Sequence, residues 1–112
     1  MPKPATRPYS HYSRDAVVLL GQLIRRARIE RKITANELAE RAGLSRGLLQ
    51  RIEKGDPGCT IGAVFEAASV VGVRLFDADQ AALTNAIGAN TASFILLPKA
   101  VRASRIEVQD EF

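Results

Sequence analysis

Arg46, Gln50 and Arg51 are the side chains in this sequence whose types and spacing best suit a defined chemistry. Arginine pairs bidentately with guanine O6 and N7, and glutamine with adenine N6 and N7. Leu49 and Ile52, spaced i, i+3 between and beside them, are buried-type residues of a short helix. Arg46, Gly47, Gln50 and Arg51 therefore point away from its core face. Gly47 carries no side chain and would let the helix backbone approach a groove closely. Ser45 is an N-cap, so free N–H groups and the positive end of the helix dipole stand ready for a phosphate. Lys54 at the helix exit suits a phosphate contact, and Asn36, one helix earlier, adds a further polar group. Ser45, Arg46, Gly47, Gln50, Arg51, Lys54 and Asn36 are the expected contacts to double-stranded DNA.

Other chemistries find little support. His11 is the only histidine and Cys59 the only cysteine, so one chain offers neither an intrachain disulfide nor a cysteine-based zinc site. There is no paired nucleophile and base, no metal-ligand spacing and no glycine loop for phosphates. The expectation is a protein that is not an enzyme and uses no cofactor or metal. With 5% aromatic residues and no Trp, a base-stacking platform is disfavoured. No apolar run approaches the roughly 20 residues of a membrane span, and no apolar segment of a signal peptide follows the basic N-terminus. A free thiol fits a reducing cytoplasm, the expected location.

Charge is distributed unevenly. Residues 1–15 hold three Lys/Arg against one acid, residues 16–60 nine against five, and residues 61–112 four against six. The basic excess in the first half suits a phosphate backbone, and the acidic second half is free to meet something else. Of Arg25, Arg26, Arg31, Lys32 and Arg41, one or two are expected to touch phosphate.

These residues need helices to position them. Residues 1–14, with Pro2, Pro4 and Pro8, read as a flexible basic arm. Asp15 is the expected N-cap of a first helix over about 16–32, with Leu20, Ile24 and Ala27 as its apolar stripe. Thr34 and Glu37 form a capping box for a second helix that buries Leu38, Ala39 and Ala42 and stops at Gly43. The third helix runs from the Ser45 cap to about Lys54, with Gly55 after it. Thr60 is expected to cap a fourth helix with Ile61, Val64, Phe65 and Ala68 inward, ending at Gly72. Leu75 and Phe76 read as inward anchors. Asp77 or Asp79 would cap a fifth helix reaching about residue 96, with Ala82, Leu83, Ala86 and Ile87 as its stripe. Residues 15–97 form the expected all-α domain, and residues 98–112 a charged tail. The apolar run Phe94–Leu97 points to a dimer interface, because two recognition helices one DNA turn apart need a dyad.

The stretch ITANELAERAGLSRGLLQRIEKG resembles the Xre/lambda-repressor family of helix-turn-helix proteins. Leu38-Ala39, Gly43, Ser45-Arg46 and Ile52-Glu53-Lys54-Gly55 match its pattern, and the resemblance implies a five-helix DNA-binding fold. One departure stands out: the family's usual DNA-contacting Gln, second in the first motif helix, is replaced by Ala35. The resemblance also implies an ion pair between Arg28 and Glu53. The tail, LLPKAVRASRIEVQDEF, is similar to the ends of HipB-type antitoxins encoded beside HipA-like kinase toxins. That likeness implies a homodimeric repressor that binds a palindromic operator, autoregulates its operon and holds the toxin. A stand-alone Xre-type regulator and a protein-interaction module with little DNA binding are the alternative readings.

Overall fold

The computed structural model describes residues 8–103. Its helices are α1 (His11–Glu30), α2 (Ala35–Ala42), α3 (Arg46–Glu53), α4 (Ile61–Val70) and α5 (Gln80–Phe94), with a short 3-10 turn at Leu75–Asp77. Among the described residues there is no strand, so the fold is the expected all-α one. The chain divides into two compact units, one ending at Asp77 and the other beginning at Ala78.

The first unit is built on α1 to α4. Helix α1 begins five residues before the expected position. Ser10, not Asp15, is its N-cap, its hydroxyl accepting the Ser13 N–H at 3.2 Å. The prolines that oppose helix formation stop at Pro8, so nothing prevents the extra turn. Residues 11–14 are thus helical, and the rest of the expected arm, residues 1–7, lies outside the described residues.

Helix α2 carries the full capping box: Thr34 Oγ1 accepts from the Glu37 N–H at 3.1 Å, and Glu37 Oε1 accepts from the Thr34 N–H at 2.8 Å. Gly43 ends α2 at φ 70°, a left-handed conformation that a side chain would oppose. Thr60 occupies the N-cap of α4 but makes no side-chain capping bond.

Ile24, Leu38, Leu49 and Val71 are the largest fully buried side chains. One comes from each of α1, α2 and α3, and the fourth from the end of α4. Between them lie Ala39, Ala67 and Ala68, whose small size lets the helix backbones approach closely. Leu20, Ala27, Val64 and Leu75 pack against this cluster from its margin, as does Ala35.

Three expected core residues, Ile61, Phe65 and Phe76, are outside it, Phe65 being half-buried. Ile61, in the first turn of α4, is 69% exposed, and the core face of that helix is carried by Ala67, Ala68 and Val71 instead. Phe76 is 80% exposed. Its backbone is left-handed, φ 56°, and its ring meets that of Phe65 edge-on, the rings 6.2 Å apart at 87°. Leu75 alone keeps the anchoring role.

In the second unit, α5 starts at Asp79, whose carboxylate accepts the Ala82 N–H at 2.9 Å. The helix ends at Phe94, two residues short of the expected end. Ile95, Leu96 and Leu97 continue as a tighter turn, their N–H groups bonding to residues three back. None of the residues of α5 is buried; of its apolar stripe Leu83 is half-buried, and Ala82, Ala86 and Ile87 are exposed.

Candidate nucleic-acid interface

Helix α3 divides sharply along its length. At about 100° per residue, Arg46, Gln50, Lys54, Gly47 and Arg51 follow one another around one side. All five are exposed, as is Ser45. Leu49 and Ile52 fill the opposite side and are buried, with Leu48 and Glu53 half-buried at its edges. Ser45 Oγ accepts the Leu48 N–H at 3.1 Å, fixing the start of the helix. The exposed side of α3 is thus polar and cationic, and its opposite side apolar.

Gly47 has no internal reason to be glycine. A Cβ built on it meets no atom within 4 Å. Helical glycine costs roughly 1 kcal/mol relative to alanine, so the fold gains nothing from it, and the bare backbone faces outward.

Gly21 is the reverse case, and one that sequence reasoning missed. A Cβ there would overlap the Ile52 carbonyl oxygen and stand 3.2 Å from the Gly55 nitrogen. Helix α1 thus crosses the end of α3 backbone against backbone. Gly55, at φ 79°, is equally confined, with the Val18 Cα 2.8 Å from its absent Cβ. Only tertiary packing gives Gly21 its meaning; in sequence it is merely a weak helix former.

The pair implied by the resemblance is present. Arg28 Nε donates to Glu53 Oε2 at 2.8 Å and Nη2 to Oε1 at 3.1 Å, while Nη1 donates to the Ile33 carbonyl at 3.1 Å. Its side chains are 14% and 8% exposed. The hydrogen bonds it donates to Glu53 hold the Arg28 guanidinium even more firmly protonated than usual, against the opposing effect of burial. Both charges are consumed internally, so Arg28 adds no free cation to the surface.

Arg51 is drawn to one margin of the exposed side. Its Nε donates to Asp56 Oδ2 at 2.8 Å, and Asp56 Oδ1 accepts the Gly58 N–H at 2.7 Å. These bonds from Arg51 and then Gly58 hold the Asp56 carboxyl below its ordinary range. Arg51 thus pins the loop after α3, a role not visible in the sequence pattern. Ala35, where the related pattern has Gln, is half-buried against the core, while its neighbour Asn36 is exposed.

Arg46, Gln50 and Lys54 line a polar cleft of about 410 Å³ with Arg25 of α1 and the Arg28–Glu53 pair. Cys59 is half-buried in a separate, apolar cleft of about 320 Å³, beside Leu20, Val64 and Phe65. Among the described residues no cluster of His, Cys, Asp and Glu is arranged to hold a metal ion, and no helix is long and apolar enough to cross a membrane.

A family model described as a helix-turn-helix domain matches residues 19–89, well over half of the chain. The protein belongs to this family, whose helix-turn-helix is of the Xre/lambda-repressor type, and is on that ground a DNA-binding regulator. Curated proteins include no match to the chain.

Proposed function

We propose that the protein is a sequence-specific transcriptional repressor that reads a palindromic operator as a homodimer. The observation that carries this reading is the outer side of α3. Arg46 and Gln50, both exposed, stand beside a glycine for which the fold has no use. Arg46 suits guanine and Gln50 adenine, while Ser45 and Lys54 suit the flanking phosphates. The exposed apolar run Phe94, Ile95, Leu96 and Leu97 supports the dimer, which would place two such helices on successive major-groove faces.

The test is duplex binding over a range of salt. A dimer making about 6–10 phosphate contacts gives a slope of log K against log salt of roughly −5 to −9. A flat response would instead favour a protein-interaction module. Sedimentation of the wild type and of a Phe94→Ser/Leu97→Ser variant tests the dimer. The variant should sediment as a monomer, and a wild type that is already monomeric removes the dyad.

The reading extends to an antitoxin of a HipA-like kinase toxin. Its support is the likeness of the tail, residues 98–112, together with the acidic balance of residues 61–112. Residues 104–112 of that tail lie outside the described residues. Deleting residues 99–112 should weaken binding to a kinase encoded beside this gene. Unchanged affinity would remove the tail from that role, and the absence of such a neighbour would leave the stand-alone regulator.

A further inference from the structure

One face of α1 lies along α3, and it is not apolar throughout. Arg14, Val18, Gly21, Arg25 and Arg28 recur at i, i+4, i+7, i+11 and i+14, which puts them on a single stripe of the helix. Val18 and Gly21 make the closest approach to the end of α3. Arg28 is bound to Glu53. That leaves the two cations on either side of the crossing, Arg25 and Arg14.

Both are exposed, and among the described residues neither takes part in an ion pair. Arg25 lines the polar cleft that also holds Arg46, Gln50 and Lys54. Arg14 lines the next cleft, of about 440 Å³, with Tyr9 and again Lys54. Lys54 is therefore the wall common to both clefts. Arg25, Lys54 and Arg14 form a continuous cationic edge beside the outer side of α3. The Arg28–Glu53 pair within it is neutral, so the edge carries three uncompensated positive charges. Eleven residues of helix separate Arg14 from Arg25, roughly 16 Å at 1.5 Å per residue, enough to reach two separate phosphates of one strand.

We propose that α1 supplies a phosphodiester-binding rail, Arg25 and Arg14, that holds the DNA backbone alongside the recognition helix. The rail rests on the DNA-binding reading and adds to it a set of contacts outside the helix-turn-helix itself. It positions and does not specify: arginines on phosphate strengthen binding to every sequence alike.

The test uses the full chain with Arg25→Gln, Arg14→Gln or Arg74→Gln. Arg74 undergoes the same charge change but lines a different cleft, with Leu23 and Ala27. Leu23 lies about 160° around α1 from Arg25. Each protein is titrated with a mixed-sequence DNA duplex and with a selected high-affinity duplex at several salt concentrations. Arg25→Gln and Arg14→Gln should each make the log K–log salt slope shallower by about 0.9 for every phosphate left unneutralised. Affinity for both duplexes should fall by the same factor, melting temperature should hold, and Arg74→Gln should match the wild type.

The rail is overturned if the wild type shows its salt slope while both α1 variants keep it. It is equally overturned if Arg74→Gln shifts the slope as much, which would make the effect one of net charge. A change in base preference in Arg25→Gln would replace a phosphate contact with a base contact. A wild type that binds neither duplex would sink the DNA-binding reading first, a result distinct from any of these.

Discussion

Arg28 and Glu53 are 25 residues apart in sequence and bonded twice in space, at 2.8 and 3.1 Å. A third donor of the same guanidinium holds the Ile33 carbonyl. One side chain thus fastens α1, the turn before α2 and the last residue of α3. Glu53→Ala strips the partner from a largely buried cation. It should cost about 3–5 kcal/mol in urea denaturation, whereas a well-packed apolar replacement of both partners should recover most of that loss. A loss below about 1 kcal/mol in the single variant would mean that the pair does not hold the helices in register.

The two helical glycines should respond in opposite ways. Gly21→Ala drives a methyl group into the Ile52 carbonyl. Overpacking of this kind costs typically 1–3 kcal/mol, and the backbone contact leaves little room to relax. Gly47→Ala adds its methyl group to open space and should raise stability by roughly 0.5–1 kcal/mol, while weakening duplex binding. Thermal melts paired with a binding titration check both. A Gly47→Ala protein that binds as well as the wild type would remove close groove approach from the account.

Base discrimination should be confined to the N-terminal and central parts of α3. Arg46→Ala and Gln50→Ala should each relax preference at one operator position, by about 1–3 kcal/mol for a good bidentate contact. Arg51→Ala should act differently, because its guanidinium already holds Asp56. Its effect should be on the order of the loop, seen as faster amide exchange around Gly58. Selection from a randomised duplex pool separates the two behaviours. Full specificity in both the Arg46 and the Gln50 variant would relocate the reading surface.

Acid should loosen the protein through its carboxylates. Glu37 is held below its ordinary value of 4.5, first by the Thr34 backbone N–H and then by the Thr34 hydroxyl. Asp56 is likewise held below 3.8 by Arg51 and Gly58. A group whose folded pKa is depressed takes up protons more readily when unfolded. It therefore contributes stability above its unfolded pKa and loses it as pH falls through the folded one. Stability contributed by these groups should be flat from pH 7 to about 5 and fall below about 4.5. Glu37→Gln should flatten part of that decline. A decline of unchanged depth in Glu37→Gln would take the capping box out of the acid response.

The motif itself was legible because its signals are local. Thr34 with Glu37, Gly43 and Ser45 each act within four residues, so their spacing carries the whole message. Ala39 could be placed in the core for the same reason. The start of α1 was obscured because His11, Tyr12, Ser13 and Arg14 are all exposed and leave no apolar rhythm to detect. Ile61 and Phe76 misled because residue type does not report whether a neighbour exists to cover it. Gly21 and the Arg51–Asp56 pair depend on where a second element arrives. The Arg28–Glu53 pair was reached only through the family resemblance, since its 25-residue separation leaves no trace in helical periodicity.

Helix α3 is eight residues long. Isolated helices shorter than about 12–15 residues are marginal in water, so this one exists only while Leu49 and Ile52 remain in the core. The reader cannot loosen and still read. On the proposed reading, folding and operator occupancy are one linked equilibrium: whatever opens the core would release the DNA. Bound operator should in turn raise the melting point, adding RT ln(1 + [DNA]/Kd) to the folding free energy. In a cell, the proportion of this protein that is folded would set the ceiling on repression.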